Sequence, residues 1–302
     1  MKIENNYKIK LSYLYLFFTL IFFSSIEVFT KELKINFYTI TVIRFAIGIL
    51  ILFPFSIKGL KDIEKRDFFF ILLNGIILVF SMLFLQISVY FGNPTVSAIL
   101  VSTNVIFVEI FTIIFEKKIE KIFFIKLIFL FIGVFAIYLF LKDGIDSFNY
   151  LNLIFGILAS LMFGFFTTMN KNYLKKYNQF SLNFILFLSG TLILFIFSNI
   201  IGKFEYNFYK TLSLKNFFVL LYIGIFVTGI AYIFFFYGLR YNNAVEASFI
   251  FYFKPFIAYI IYCIYFNIFF KIEKFIFIFL IILSIYLYKN SEKFFDKNNI
   301  LD

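Results

Sequence analysis

The chain has 302 residues, 63% of them hydrophobic and 25% aromatic, with a mean hydropathy of +0.96 and only 15% charged. Soluble chains average about 45–50% apolar and about 25% charged, so this chain carries more apolar surface than one water-facing core can hide, and it reads as a membrane protein. The lack of His and Trp and the single Cys263 exclude His-ligated metal centres, intramolecular disulfides and Ser-His-Asp hydrolysis, and the +11 net charge is scattered between apolar runs rather than gathered into a nucleic-acid face.

A bilayer-crossing helix takes about 20 mostly apolar residues, and charged, Pro- or Asn-containing breaks divide the chain into ten such runs. Span one, 11–30, follows a basic tip of Lys2, Lys8 and Lys10 but has no small-residue cleavage site, so it reads as a retained helix rather than a signal peptide. Spans two to five are 37–57, 68–90, 95–115 and 122–141. Spans six to ten are 150–169, 181–201, 215–239, 244–266 and 274–289. The short links Gly92-Asn93-Pro94 and Tyr241-Asn242-Asn243 predict antiparallel hairpins. With the amino terminus inside, the inside segments hold 18 Lys and Arg against 8 outside, which predicts that both termini are cytoplasmic and that 1–10 and 290–302 are tails.

Lys118-Ile119-Glu120-Lys121 precedes span five, and the identical Lys271-Ile272-Glu273-Lys274 precedes span ten. Shifted by 150, Asn93 matches Asn243, Ser97 matches Ala247, Asn104 matches Lys254 and Val105 matches Pro255. Duplication accounts for this order, and five spans per unit turn the second unit upside down. The expected fold is therefore all-α and integral to the membrane, with ten transmembrane helices as two inverted five-helix repeats, 11–141 and 150–289. Such an architecture places a substrate site near the midplane in many transporters and implies alternating access.

Tyr237-Gly238-Leu239-Arg240-Tyr241, Ala244-Val245-Glu246-Ala247-Ser248 and Phe253-Lys254-Pro255-Phe256-Ile257-Ala258 resemble the signature of the drug/metabolite transporter superfamily, in its EamA-type branch. Ser97-Ala98-Ile99-Leu100, Ser102-Thr103-Asn104, Glu116, Gly133-Val134 and Arg44 are similar to the first-half pattern. The resemblance covers essentially the whole chain. Val105 stands where the family commonly has Pro, and the acidic residue that closes span nine is replaced near Asn267. The resemblance implies export of a small polar metabolite such as an amino acid or related compound.

Polar residues inside the spans are the candidates for function, because an ionisable group at a span centre costs about 2.5–3.5 kcal/mol on insertion scales and needs a partner or a wet cavity. Glu27, Arg44, Glu109 and Lys254 qualify. Glu27 and Arg44 lie at matching depths near the outer ends of spans one and two, which suits a structural ion pair or an outward-side anion site at Arg44. Lys254 lies near the midplane beside Pro255, which lacks a helix N–H and is expected to kink span nine. Asn104 is its repeat-mate. Lys254 then either lines the substrate path or is a paired charge, with Glu109 the first partner considered.

Tyr252, Pro255, Tyr259 and Tyr262 share one helical stripe, matched on span four by Ser102, Val105 and Glu109. These tyrosines can hold a metabolite or simply pack with satisfied hydroxyls. Asn74, Ser81 and Ser88 on span three, and Gly224, Thr228, Ala231 and Gly238 on span eight, suit a lined pathway or helix contact equally. Gly156, Ser160, Gly164 and Thr168 on span six read as a close-packing face. The expected substrate path thus comprises Lys254, Asn104, Glu109, Arg44, Tyr252, Tyr259, Asn74 and Thr228, with Pro255 as a structural kink and neither metal nor other cofactor.

No Gly-rich phosphate loop is present, so transport is expected to be secondary or passive, with Glu27 and Glu109 able to carry a proton. The expected partners are a small-molecule substrate, the bilayer and a coupling proton or counter-substrate, with a homodimer left open and no nucleic acid. The expected location is the inner membrane. Two rivals are an intramembrane lipid-modifying enzyme, for which Asp62, Glu64 and Asp67 form the one cytoplasmic acidic cluster, and a non-transporting interaction subunit.

Overall fold

The breaks between apolar runs carry residues that start helices. Asn36, Asn149 and Asn178 each accept a hydrogen bond from the backbone N–H two residues on, and Ser213 and Asn243 from the N–H three residues on. These side chains satisfy donors that a helix amino end leaves open. The computed structural model describes residues 2–33, 35–117, 122–141, 149–267, 269 and 276–296. Among the described residues there are 13 α-helices and no strand.

Spans one to three are α1 (Lys2–Glu32), α2 (Phe37–Leu60) and α3 (Lys65–Phe91). Span four divides into α4 (Pro94–Ser102) and α5 (Asn104–Glu116), and spans five to seven are α6 (Phe123–Leu141), α7 (Tyr150–Lys176) and α8 (Gln179–Ile200). Span eight runs through α9 (Leu214–Tyr222), a π-helical segment (Ile223–Ile230) and α10 (Ala231–Tyr241). Span nine comprises α11 (Ala244–Ser248) and α12 (Ile250–Tyr265), and span ten is α13 (Ile276–Asp296). Eight of these spans are long and apolar enough to cross a bilayer, and two shorter apolar stretches, Phe123–Leu139 and Ile276–Ser291, belong to α6 and α13. Helix continues into the two segments read as tails, since α1 begins at Lys2 and α13 ends at Asp296. The paired tetrapeptides at 118–121 and 271–274 lie outside the described residues.

The bundle turns apolar side chains outward as well as inward. Phe53, Phe55, Phe131, Phe135, Ile196 and Ile200 are all exposed, a surface suited to acyl chains and not to water. The chain is a multi-pass, membrane-embedded helical protein. Inside, α3 packs on α7 and α8, α2 on α8 and the π-helical segment, α1 on α10 and α12, and α6 on α13.

Backbone approach sets two of these contacts. A Cβ on Gly190 would stand 2.3 Å from the Gly75 carbonyl oxygen, and one on Gly164 would stand 2.7 Å from Phe107 Cβ. The small face of span six is thus a packing face against span four, where Ser160 Oγ also meets Thr103 Oγ1 at 2.7 Å. The polar stripe of span three stitches helices together as well. Asn74 Nδ2 donates to Phe166 O at 3.4 Å, Ser81 Oγ to Ala159 O at 2.8 Å, and Ser88 Oγ to Asn152 O at 2.9 Å.

Spans four and nine are both interrupted. Thr103 N–H bonds to Leu100 O at 3.2 Å, a local tightening to i→i+3 pairing, and Phe249 N–H is shared between Val245 O at 3.2 Å and Glu246 O at 3.3 Å. Span four breaks without a proline beside Thr103, whose hydroxyl returns to Leu100 O, a back-bonding that bends helices. In span nine the interruption falls at Phe249, and Pro255 lies inside the continuous α12. The carbonyl that Pro255 leaves without a helix donor, Phe251 O, accepts Ser102 Oγ from span four at 2.6 Å.

Other features recur at the repeat spacing. Lys31 Nζ donates to the carbonyls of Val89, Tyr90 and Gly92, and Lys171 Nζ to those of Leu239, Arg240 and Asn242, each acceptor 150 residues after its counterpart. Among the described residues, the non-glycine positions with positive φ are Lys117 and Asn267, both at 53° and also 150 apart. Each follows the carboxyl end of an interrupted span, where a left-handed residue stops a helix.

Candidate functional site

Three buried ionisable side chains meet at the bundle centre. Packing of α1 against α12 sets Glu27 opposite Lys254, and Lys254 Nζ donates to Glu27 Oε1. Glu27, Arg44 and Lys254 are 0%, 1% and 2% exposed. Arg44 comes from α2 with its guanidinium carbon 4.9 Å from the centroid of the Phe45 ring. None of its three nitrogens has a hydrogen-bond partner, and neither Glu27 Oε2 nor the Tyr232 hydroxyl has one. In their ordinary ionisation states the three groups carry a net charge of +1.

Arg44 and Lys254 line a small central cavity of about 20 Å³, room for about one water. Its other walls are mostly apolar: Phe23, Met82, Phe163, Tyr232 and Phe251 among them. Mostly apolar walls with a few convergent polar groups are the usual make-up of a small-molecule site.

Two expected pairings are corrected. Glu27 bonds to Lys254 and not to Arg44, because α1 lies against α12 at this level. Glu109 is not the partner of Lys254: it accepts the Tyr288 hydroxyl at 2.6 Å and lines a separate cleft. Glu109 follows Asn104, the repeat-mate of Lys254, by five residues, which carries it about 7.5 Å further along span four.

The remaining expected path residues do not line the central cavity. Tyr252 donates its hydroxyl to Leu130 O at 2.9 Å and so ties α12 to α6. Tyr259 is half-buried on the same helix. Asn74 ties α3 to α7, and Thr228 packs its methyl group beside Gly48. Asn104 is fully buried, and neither atom of its amide finds a hydrogen-bond partner.

Clefts flank the centre. At the carboxyl end of α1, Thr30, Lys31, Ile40, Gln86 and Tyr90 border a cleft of about 230 Å³. Ile40 stands one turn from Arg44 on α2, and Gln86 follows the cavity residue Leu85 on α3. At the opposite end Glu109, Lys126, Thr168, Lys171 and Lys175 border a cleft of about 370 Å³. Along α7, Phe163 lines the cavity, Thr168 and Lys171 line this second cleft, and Phe166 lies between them. Phe166 packs on Phe163 and Phe236 with ring centroids 5.5 and 6.1 Å apart, so an aromatic layer closes the centre on that side.

Sequence reasoning missed the aromatic walls and Tyr232, since no single ring stands out among 54 Phe and 21 Tyr. The one available signal was spacing: Tyr232 follows Thr228 by four residues, on the face already singled out.

A crystal structure of a protein at 10% identity superposes with a TM-score of 0.71, covering 91% of this chain and 95% of the other, which establishes the fold. An uncharacterized transporter from Clostridium kluyveri is 30% identical over 262 residues, or 82% of this chain and 83% of that protein. The model of the EamA-like transporter family matches residues 10–139 and 151–289. Its two matched segments and this relative place the chain in the EamA-like transporter family.

Proposed function

We propose that the chain is a secondary carrier that moves a small polar metabolite bearing an anionic group, of which amino acids and related compounds are examples, outward across the inner membrane by alternating access. The observation that carries this reading is the Glu27–Lys254 pair with the unpartnered Arg44 beside one central cavity, closed by aromatic rings on one side. Buried charges at that depth are costly and mark substrate or ion pathways in membrane proteins.

The two units, 11–141 and 150–289, act as inverted repeats that rock about the central site. The 150-residue spacing shared by the lysine-capped helix ends and the left-handed residues supports this duplication. With both termini cytoplasmic, the Lys31 cleft faces outward and the Glu109 cleft faces the cytoplasm, where solute enters for export. Glu27, freed in turn from Lys254, takes up a coupling proton, or a counter-substrate replaces it. Asp67, from the one acidic cluster of a rival lipid-modifying enzyme, is engaged by Lys176 at 3.0 Å and Tyr177 at 2.7 Å, which favours a carrier.

Reconstitution tests the reading. Liposomes holding the purified chain should exchange a labelled amino acid or organic acid, and Arg44→Gln should abolish exchange while yielding folded protein. Absence of exchange for every solute tried, by protein that is folded, overturns the carrier reading in favour of an interaction subunit.

A further inference from the structure

The charge count of the central cavity narrows the solute. Arg44 and Lys254 are cationic and Glu27 is the single carboxylate within their reach, so one positive charge is left over in a site nearly sealed from water. The excess sits on Arg44, because Lys254 is already taken by Glu27, while no guanidinium nitrogen has a partner. A guanidinium is a planar fork whose N–H groups match the two oxygens of a carboxylate. Around it the walls are Phe23, Met82, Phe163 and Phe251, which offer contact to a hydrocarbon body and no further charge.

We propose that the solute this site takes, once the small cavity widens around it, is an amphipathic organic monoanion, with its carboxylate on Arg44 and its apolar body against the aromatic walls. The assignment rests on the carrier reading above and refines it. One negative charge brings the cavity to neutrality. A zwitterion leaves the excess charge in place, a primary amine doubles it, and a neutral amide presents one acceptor oxygen to the fork with no charge. While the solute binds, the intact Glu27–Lys254 pair adds no net charge, and Arg44 alone reads the charge of the solute.

Four solutes that share a phenyl ring and differ in charge test this: 3-phenylpropanoate, phenylalanine, phenethylamine and 3-phenylpropanamide. The full-length protein in detergent should be stabilised against heat by 3-phenylpropanoate and bind it at least about tenfold more tightly than the other three, the scale expected for a charge-assisted hydrogen-bonded pair. Arg44→Gln should lose that preference while melting, without solute, no lower than the unmodified chain, since it removes a buried cation that has no partner. Arg44→Lys, which keeps the charge and loses the fork, should fall between.

Tighter binding of phenylalanine or phenethylamine overturns the assignment, as does an Arg44→Gln protein that keeps the preference or a panel in which no solute binds. Uptake into proteoliposomes separates the two levels. Phenylalanine moved without any binding of 3-phenylpropanoate leaves the carrier reading standing and removes the monoanion; 3-phenylpropanoate bound but never moved keeps the monoanion and removes the carrier.

Discussion

Span four breaks between Ser102 and Asn104, and span nine between Ser248 and Ile250, yet the polar residues that follow the two breaks meet opposite fates. Lys254 in span nine bonds to Glu27, whereas its repeat-mate Asn104 is buried with both amide atoms unpartnered. Pro255 in span nine leaves a carbonyl without its helix donor, and the hydroxyl that takes it belongs to Ser102 of span four. Span four in turn leans on α7 through Gly164, while span nine packs on α1 through the Glu27–Lys254 pair. Corresponding positions of a duplicated chain can therefore share backbone geometry while their side chains specialise, one toward charge and the other toward packing.

Removing the carboxylate that span nine depends on gives the largest expected effect. Glu27→Gln strands Lys254 beside the already unpartnered Arg44, and breaking a buried pair from one side costs about 3–5 kcal/mol, to be read as a fall in thermal unfolding temperature in detergent. The double change Glu27→Gln with Lys254→Gln removes the stranded charge and should recover most of that loss, with a coupling energy that a double-mutant cycle measures. A double variant no more stable than Glu27→Gln alone would show that the pair does not organise this region.

A packing test on span four comes next. Gly164→Leu drives a branched side chain into Phe107, and overpacking of this kind costs about 1–3 kcal/mol, visible as a lower yield of folded protein. If that variant folds normally and loses only transport, the α7 face belongs to the pathway and the contrast between the spans collapses.

The smallest expected effect joins the two spans. Ser102→Ala leaves Phe251 O without its donor and should cost about 1 kcal/mol, a loss that Pro255→Ala offsets by restoring a helix N–H to that carbonyl. Equal penalties for Ser102→Ala with and without Pro255→Ala would separate the hydroxyl from the proline.

The Phe249 break shows where reading a sequence falls short. Pro255 is the visible helix breaker, yet the helical run is interrupted at Phe249 and continues through the proline, whose freed carbonyl is taken by span four. Span four shows no proline at its break, which falls beside a hydroxyl whose choice between solvent, neighbour and its own helix is made only on packing. Glu27, Arg44, Glu109 and Lys254 were all visible as charges out of place, because the cost of burying them is independent of the partner. Their pairing was not visible, since it depends on which helices touch.

Several properties follow from the order of residues alone. Membrane residence, the apolar helical runs and the short roll of buried charges arise from local quantities: apolar length, charge between runs, and spacing. The tertiary structure decided that Glu27 belongs to Lys254, that Arg44 keeps an unanswered charge, and that Phe166 closes the cavity toward the Glu109 cleft. Those outcomes depend on the rotation and depth at which α1, α2, α7 and α12 meet. In a chain so uniformly apolar, hydrophobic patterning distinguishes one helix face from another only weakly, so it falls to the few polar contacts and the close approaches at glycine to select them.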